Sequence, residues 1–136
     1  MSIQEYLSKQ EITRRPVLSA IHELIVSTDK KVNAEPGTMM GKEMILYKSC
    51  GIFKYGLSGV KTHMSLHLMP IYGSPAIHSK YAKLLDKAKF QKGCINFKNE
   101  EQMPLHIVKQ LLIDCAKVDM VAFMEKYKKG HRSGGD

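Results

Sequence analysis

The chain has 136 residues, of which 43% are hydrophobic and 25% charged, with a net charge of +8. That size and balance suit one globular domain with its own core and exclude a disordered polyelectrolyte. No apolar run approaches the roughly 20 residues a membrane-spanning helix needs, and the positive charge favours anionic partners.

The polar opening from Met1 to Gln10 carries Glu5 and lacks the basic-then-apolar pattern of a secretory signal, so a cytoplasmic location is expected. Within it, Ser2 to Lys9 reads as a short amphipathic helix with Ile3, Tyr6 and Leu7 on one side. Pro16 suits the first turn of a second helix, where its missing N–H goes unnoticed. Val17, Ile21, Leu24, Ile25 and Val32 then recur at helical spacing, and Pro36-Gly37 predicts a turn after them.

From Thr38 to Met69 the period shortens to two. Met44 and Leu46 alternate with Ile45 and Tyr47, and Ile52, Phe53, Tyr55 and Leu57 lie between glycines. His63, Ser65 and His67 alternate with Met64, Leu66 and Leu68. Short β-prone runs broken by glycine predict an antiparallel meander covered on one face only.

Met69-Pro70 ends the sheet segment, and Ser74-Pro75 supplies a cap and a first-turn proline for a helix with Ile77, Tyr81, Leu84, Leu85 and Ala88 on its apolar stripe. Gly93 to Phe97 reads as one more strand. Pro104 opens a last helix through Leu105, Val108, Leu112 and Cys115, extending towards Val118, Ala122 and Phe123. The expected fold is α+β: a two-layer sandwich, an antiparallel sheet with helices packed on one face. Residues 1–129 would form the single domain and 130–136 a flexible tail.

Three cysteines, Cys50, Cys94 and Cys115, give an odd count without CxxC spacing. They read as buried small hydrophobes rather than as disulfides or zinc ligands.

Several stretches resemble the YdhG-like family of small bacterial proteins. They are Ser2-Ile3-Gln4-Glu5-Tyr6-Leu7, then Lys61-Thr62-His63-Met64-Ser65-Leu66-His67 with Met69-Pro70, and Lys89-Phe90-Gln91-Lys92-Gly93-Cys94-Ile95-Asn96-Phe97 followed by Met103-Pro104-Leu105. The resemblance runs from about Ser2 to Cys115. It implies an α+β fold of frataxin-like shape and, as one expectation, an intracellular iron-chaperone role. Frataxin-type binding uses an acidic ridge, because iron ions favour clustered carboxylate oxygens. The first long helix here offers Glu23 and Asp29 beside Arg14, Arg15, Lys30 and Lys31.

The residues themselves point first to a non-catalytic binding module for a small anionic ligand or a protein partner. His63, Ser65 and His67 would share one face of a strand. The two histidines stand roughly 13 Å apart at Cα, too far to grip one metal ion. Lys92-Gly93, with Lys89, forms a candidate anion-holding turn: glycine admits close backbone approach and lysine supplies a point charge. Tyr47 and Tyr72 offer flat apolar rings with polar tips for a ligand pocket. No nucleophile elbow, HExxH or dinucleotide loop is present, so no catalytic residue, metal ligand or cofactor is assigned, and an enzyme of unknown reaction is a lesser alternative. A modest basic cluster at Lys126, Lys128, Lys129 and Arg132 leaves nucleic acid as a further alternative partner. A monomer or a homodimer fits equally.

Overall fold

The computed structural model describes the backbone of residues 1–135 and the side chains of residues 1–128. The elements are, in order, α1 (Ile3–Ser8), α2 (Arg15–Thr28), β1 (Asn33–Met39), β2 (Lys42–Ser49), β3 (Ile52–Gly59), β4 (Met64–Leu68), α3 (Met69–Gly73), α4 (Pro75–Leu84), β5 (Lys89–Phe90), β6 (Cys94–Phe97), a 3-10 turn (Glu100–Gln102), α5 (Leu105–Ala116) and α6 (Met120–Gly135). Among the described residues the strands make one antiparallel six-stranded sheet in the order β1-β2-β3-β4-β6-β5. The fold is α+β.

Period decides which face each residue covers. In α2, Val17, Leu18, Ile21 and Ile25 are buried. They meet Ile45 and Tyr47 of β2, Tyr55 and Leu57 of β3, Met64, Leu66 and Leu68 of β4, and Ile95 and Phe97 of β6 in one core. Val108, Leu111, Leu112 and Cys115 close it from α5. Each fully buried aliphatic or aromatic side chain contributes about 1.5–3 kcal/mol, so this layer holds helices and sheet together.

One polar cluster interrupts that core. The β2–β3 register shifts between Tyr47 and Lys48, which pairs Tyr47 with Tyr55 and Lys48 with Phe53, leaving Lys54 as the extra residue of a bulge. A bulge re-aims a side chain, and here it sends Lys54 to the helix side. Its Nζ lies 2.7 Å from Asp29 Oδ2 and donates to the Val118 carbonyl at 3.1 Å. Tyr55 Oη donates to the same carboxylate oxygen at 2.8 Å, and the Lys31 amide donates to Oδ1 at 3.2 Å. Both charged side chains are 1% exposed. Burial and the bond to Asp29 push the Tyr55 hydroxyl far above its ordinary pKa.

Several expectations are met at the residues that carried them. Pro16 lies in the first turn of α2, and Ser74 Oγ caps α4 by accepting from the Ile77 amide at 3.3 Å. Others need correction. The turn expected at Pro36-Gly37 lies at Met40-Gly41, both with positive φ (51° and 77°). Pro36 and Gly37 belong to edge strand β1, where a missing N–H is tolerated and where Leu46 packs directly against Gly37. Val32, Leu85 and Ala88 fall outside their helices: α2 stops at Thr28 and α4 at Leu84. The last helix is two. It breaks after Ala116, and Asp119 Oδ1 restarts it by accepting from the Val121 and Ala122 amides at 2.9 and 3.2 Å. The α6 backbone continues to Gly135, into the segment expected as a tail, and Asp136 lies outside the described residues. Cys115 is buried as expected and Cys94 is half-buried, but Cys50 is exposed. It occupies the β2–β3 turn with φ 52°, where no core can reach it.

Candidate functional site

A cavity of about 640 Å³ opens where α3, the start of α4, the β5–β6 turn and α6 meet. Its lining includes Tyr72 and Gly73 of α3, His78 of α4, Lys92, and Phe123, Lys126 and Tyr127 of α6. Local sequence explains each placement. Buried Pro70 and Ile71 anchor the five-residue α3 and leave Tyr72 exposed at its end. Asp119 starts α6 and Met120 is buried, so Phe123, Lys126 and Tyr127 project from the next two turns at helical spacing. Phe123 packs against Gly73, where any Cβ would collide with its ring. Phe123 and Tyr127 stack at 6.5 Å between centroids and 7° between planes, and Tyr72 leans on Tyr127 at 6.2 Å.

The β5–β6 hairpin brings in the charge. Its turn closes through the Gln91 amide donating to the Cys94 carbonyl at 2.9 Å. His78 Nε2 donates to the Gln91 carbonyl at 2.9 Å, and its ring meets Phe90 edge-on at 5.5 Å. Helix α4 thus clamps the turn that presents Lys92. Among the described residues neither Lys92 nor Lys126 forms an ion pair. The chemistry on offer is stacking for a flat group with two ammonium groups for a negative one.

The fold distributes the sequence-derived candidates over three places. Tyr72 and Lys92 line the cavity, and Gly93 stands at its edge, where a Cβ would touch the Tyr72 ring at 3.6 Å. Ser65 and His67 lie on the face of β4 away from the core, and His63 continues that face one step before the strand. Lys89 of β5 joins them opposite Asn96. Tyr47 requires correction as a pocket residue. It is fully buried on the helix side, its hydroxyl 2.7 Å from His22 Nδ1, because β2 alternation puts it in register with core Ile45. Burial raises its pKa well beyond the ordinary tyrosine value.

On the open face, Ser65 Oγ donates to Asn96 Oδ1 at 2.6 Å, and Cys94 Sγ bonds Gln91 Oε1 at 3.2 Å. Burial, then the Lys42 charge, lowers the His67 pKa, while burial raises that of the Cys94 thiol. A neutral imidazole beside a protonated thiol is not an activated pair. Elsewhere Tyr81 Oη and Lys80 Nζ both donate to Asp114, which holds that carboxyl below its ordinary value. Among the described residues no three His, Cys, Asp or Glu side chains converge as a metal site would require, and no helix is long and apolar enough to cross a membrane.

Reasoning from sequence missed His78, Gly73, Phe123 and Tyr127 as cavity residues. Phe123 and Tyr127, four apart after Asp119, were the available signal for an aromatic face. The chain matches no family model, no curated protein and no solved structure at a significant level.

Proposed function

We propose that the chain is a non-catalytic binding module whose cavity under α6 takes a small anionic ligand with a flat, apolar part. The observation that carries this reading is the pairing of two lysines, which form no ion pair among the described residues, with the Tyr72, Phe123 and Tyr127 rings around about 640 Å³. A volume of that size fits small-molecule sites, which are mostly apolar with a few convergent polar groups. The rings stack on the ligand body, and Lys92 and Lys126 offset its charge. Among the described residues no nucleophile–base pair lines the cavity, which favours holding over reaction. The YdhG-like resemblance is compatible with this reading and leaves the ligand open; an iron-chaperone role draws no support from the donor set, which is cationic and aromatic around the cavity.

Titration with anilinonaphthalene sulfonate, a flat aromatic anion, tests the proposal. Saturable fluorescence enhancement is expected, weakened about tenfold, or about 1.4 kcal/mol, in Lys92→Ala or Lys126→Ala. Naphthalene methanol, which lacks the charge, should bind more weakly. Binding indifferent to both lysines would overturn the reading.

A further inference from the structure

The open face of the sheet carries a second group of cations that the cavity does not use. Lys42 begins β2 on the face shared by Met44 and Leu46. His63 precedes β4, its carbonyl accepting from the Val60 amide at 2.8 Å. Because Met64 pairs with Phe97 and Ser65 with Asn96, the next step of that ladder sets His63 beside Lys98. Lys89 stands opposite Asn96 on the outer strand. Four chain segments thus deliver three lysines around one imidazole. Lys42, Lys89 and Lys98 are exposed, and none forms an ion pair among the described residues.

The electrostatics agree with the register. After burial, the charges that hold the His63 pKa down are Lys42, Arg14, Lys89 and Lys98. Arg14 is partly occupied, donating to the Val60 and Lys61 carbonyls and approaching Glu11 at 3.8 Å. Among the described residues the three lysines have no ion-pair partner. Asn96 adds a neutral amide: its Oδ1 accepts from Ser65 at 2.6 Å. Nearby Ser58 Oγ is buried and has no hydrogen-bond partner among the described residues.

We propose that Lys42, Lys89 and Lys98, grouped around His63 on the open sheet face, form a second site that binds the phosphoryl group of a small molecule. Like charges held together without counter-charge repel, and a multiply charged anion relieves all of them at once. A phosphoryl group offers oxygens in several directions, which suits ammonium groups arriving from separate strands; a carboxylate offers two in one plane. Phe53 shares this face but packs over Gly56 beside Met44, level with His67, so no aromatic ring for base stacking stands among the described residues Ser65, Asn96 and the three lysines around His63. Sequence-tolerant binding of single-stranded nucleic acid relies on such rings, so the geometry favours a small phosphorylated ligand. This site is independent of the cavity.

The test is an NMR titration of the full chain with inorganic pyrophosphate at constant ionic strength. The His63 ring resonances should shift saturably at millimolar concentration or below, and the imidazole titration midpoint should rise as the anion stabilises its charged form. The double variant Lys42→Ser/Lys98→Ser should weaken this response at least tenfold while leaving anilinonaphthalene sulfonate binding in the cavity unchanged, which also reports an intact fold. The proposal fails if His63 is unmoved at about 10 mM pyrophosphate, a weak affinity by any scale. It fails equally if sodium chloride of the same ionic strength reproduces the shift, or if the double variant binds as well as the parent chain. Tighter binding of a thymidine oligonucleotide or of phosphatidic-acid vesicles than of pyrophosphate at physiological salt would overturn the small-molecule assignment.

Discussion

On the helix-covered face of the sheet, Lys54 is sealed beside Asp29, with the Val118 carbonyl as a further acceptor. On the open face, Lys42, Lys89 and Lys98 stand in solvent with no ion-pair partner among the described residues. The same side chain serves stability in one place and is left available in the other. What separates them is a single bulge residue in β3, which turns Lys54 through the sheet. Desolvated charge must be matched within the protein, whereas exposed charge can wait for a partner from outside.

The largest effects should come from breaking the sealed side. Lys54→Met leaves Asp29 buried without its counter-charge and should cost about 3–5 kcal/mol in urea denaturation. Pairing it with Asp29→Leu should recover part of that loss, since no buried charge is then left unmatched, although the Tyr55 hydroxyl and the Lys31 amide lose their acceptor. Tyr55→Phe deletes one bond to a charged oxygen and should cost about 1.5–3 kcal/mol. A double variant no more stable than Lys54→Met alone would sink the contrast between the two faces.

Gly73→Ala sharpens the comparison from the other side. Its new methyl group meets the Phe123 ring, so that ring must swing aside and cavity ligands should bind several-fold more weakly. Stability should change little, because Gly73 is exposed at the end of a short helix. Calorimetric binding and thermal melting on the same sample separate the two outcomes.

The pH response links both faces. Burial, as the first cause, holds the His22, His63 and His67 imidazoles below the ordinary value of 6.5. As pH falls through about 6.5, the unfolded chain therefore takes up protons before the folded one does. Stability should be full above that point, decline below it, and level off once the folded values are passed. Denaturation midpoints at neutral pH and near pH 5 would show the slope, and His22→Gln should flatten it. The smallest effect belongs to the exposed Lys48–Glu35 pair at 2.8 Å, where Lys48→Ala should stay within about 1 kcal/mol.

Much of the scaffold was legible because local chemistry and tertiary packing agree there. The alternation at Met64 to Leu68, the Ser74-Pro75 cap and the α2 stripe each specify one answer. Pro36-Gly37 misled because its turn signal is overridden by pairing with β2, and an edge strand tolerates a proline. Tyr47 misled because a tyrosine in a strand looks alike on either face until register fixes its side. Tyr72 and Lys92 were legible as candidates, being a flat ring with a polar tip and a lysine before a turn glycine. The rest of the cavity was not, since Phe123 and Tyr127 reach it from some fifty residues away in the chain. The bulge at Lys54 carried no local signal either: its need for Asp29 exists only once α2 and β3 are packed together.

The outer strands bear on how such sheets stay finite. β1 carries Pro36 at its middle, and β5 has only two residues. Neither border presents a long, regular row of free amides and carbonyls on which a neighbour's strand could template itself. The sheet therefore has a fixed width built into its margins, and the chain can keep one broad face uncovered without inviting fibrous growth along its rims.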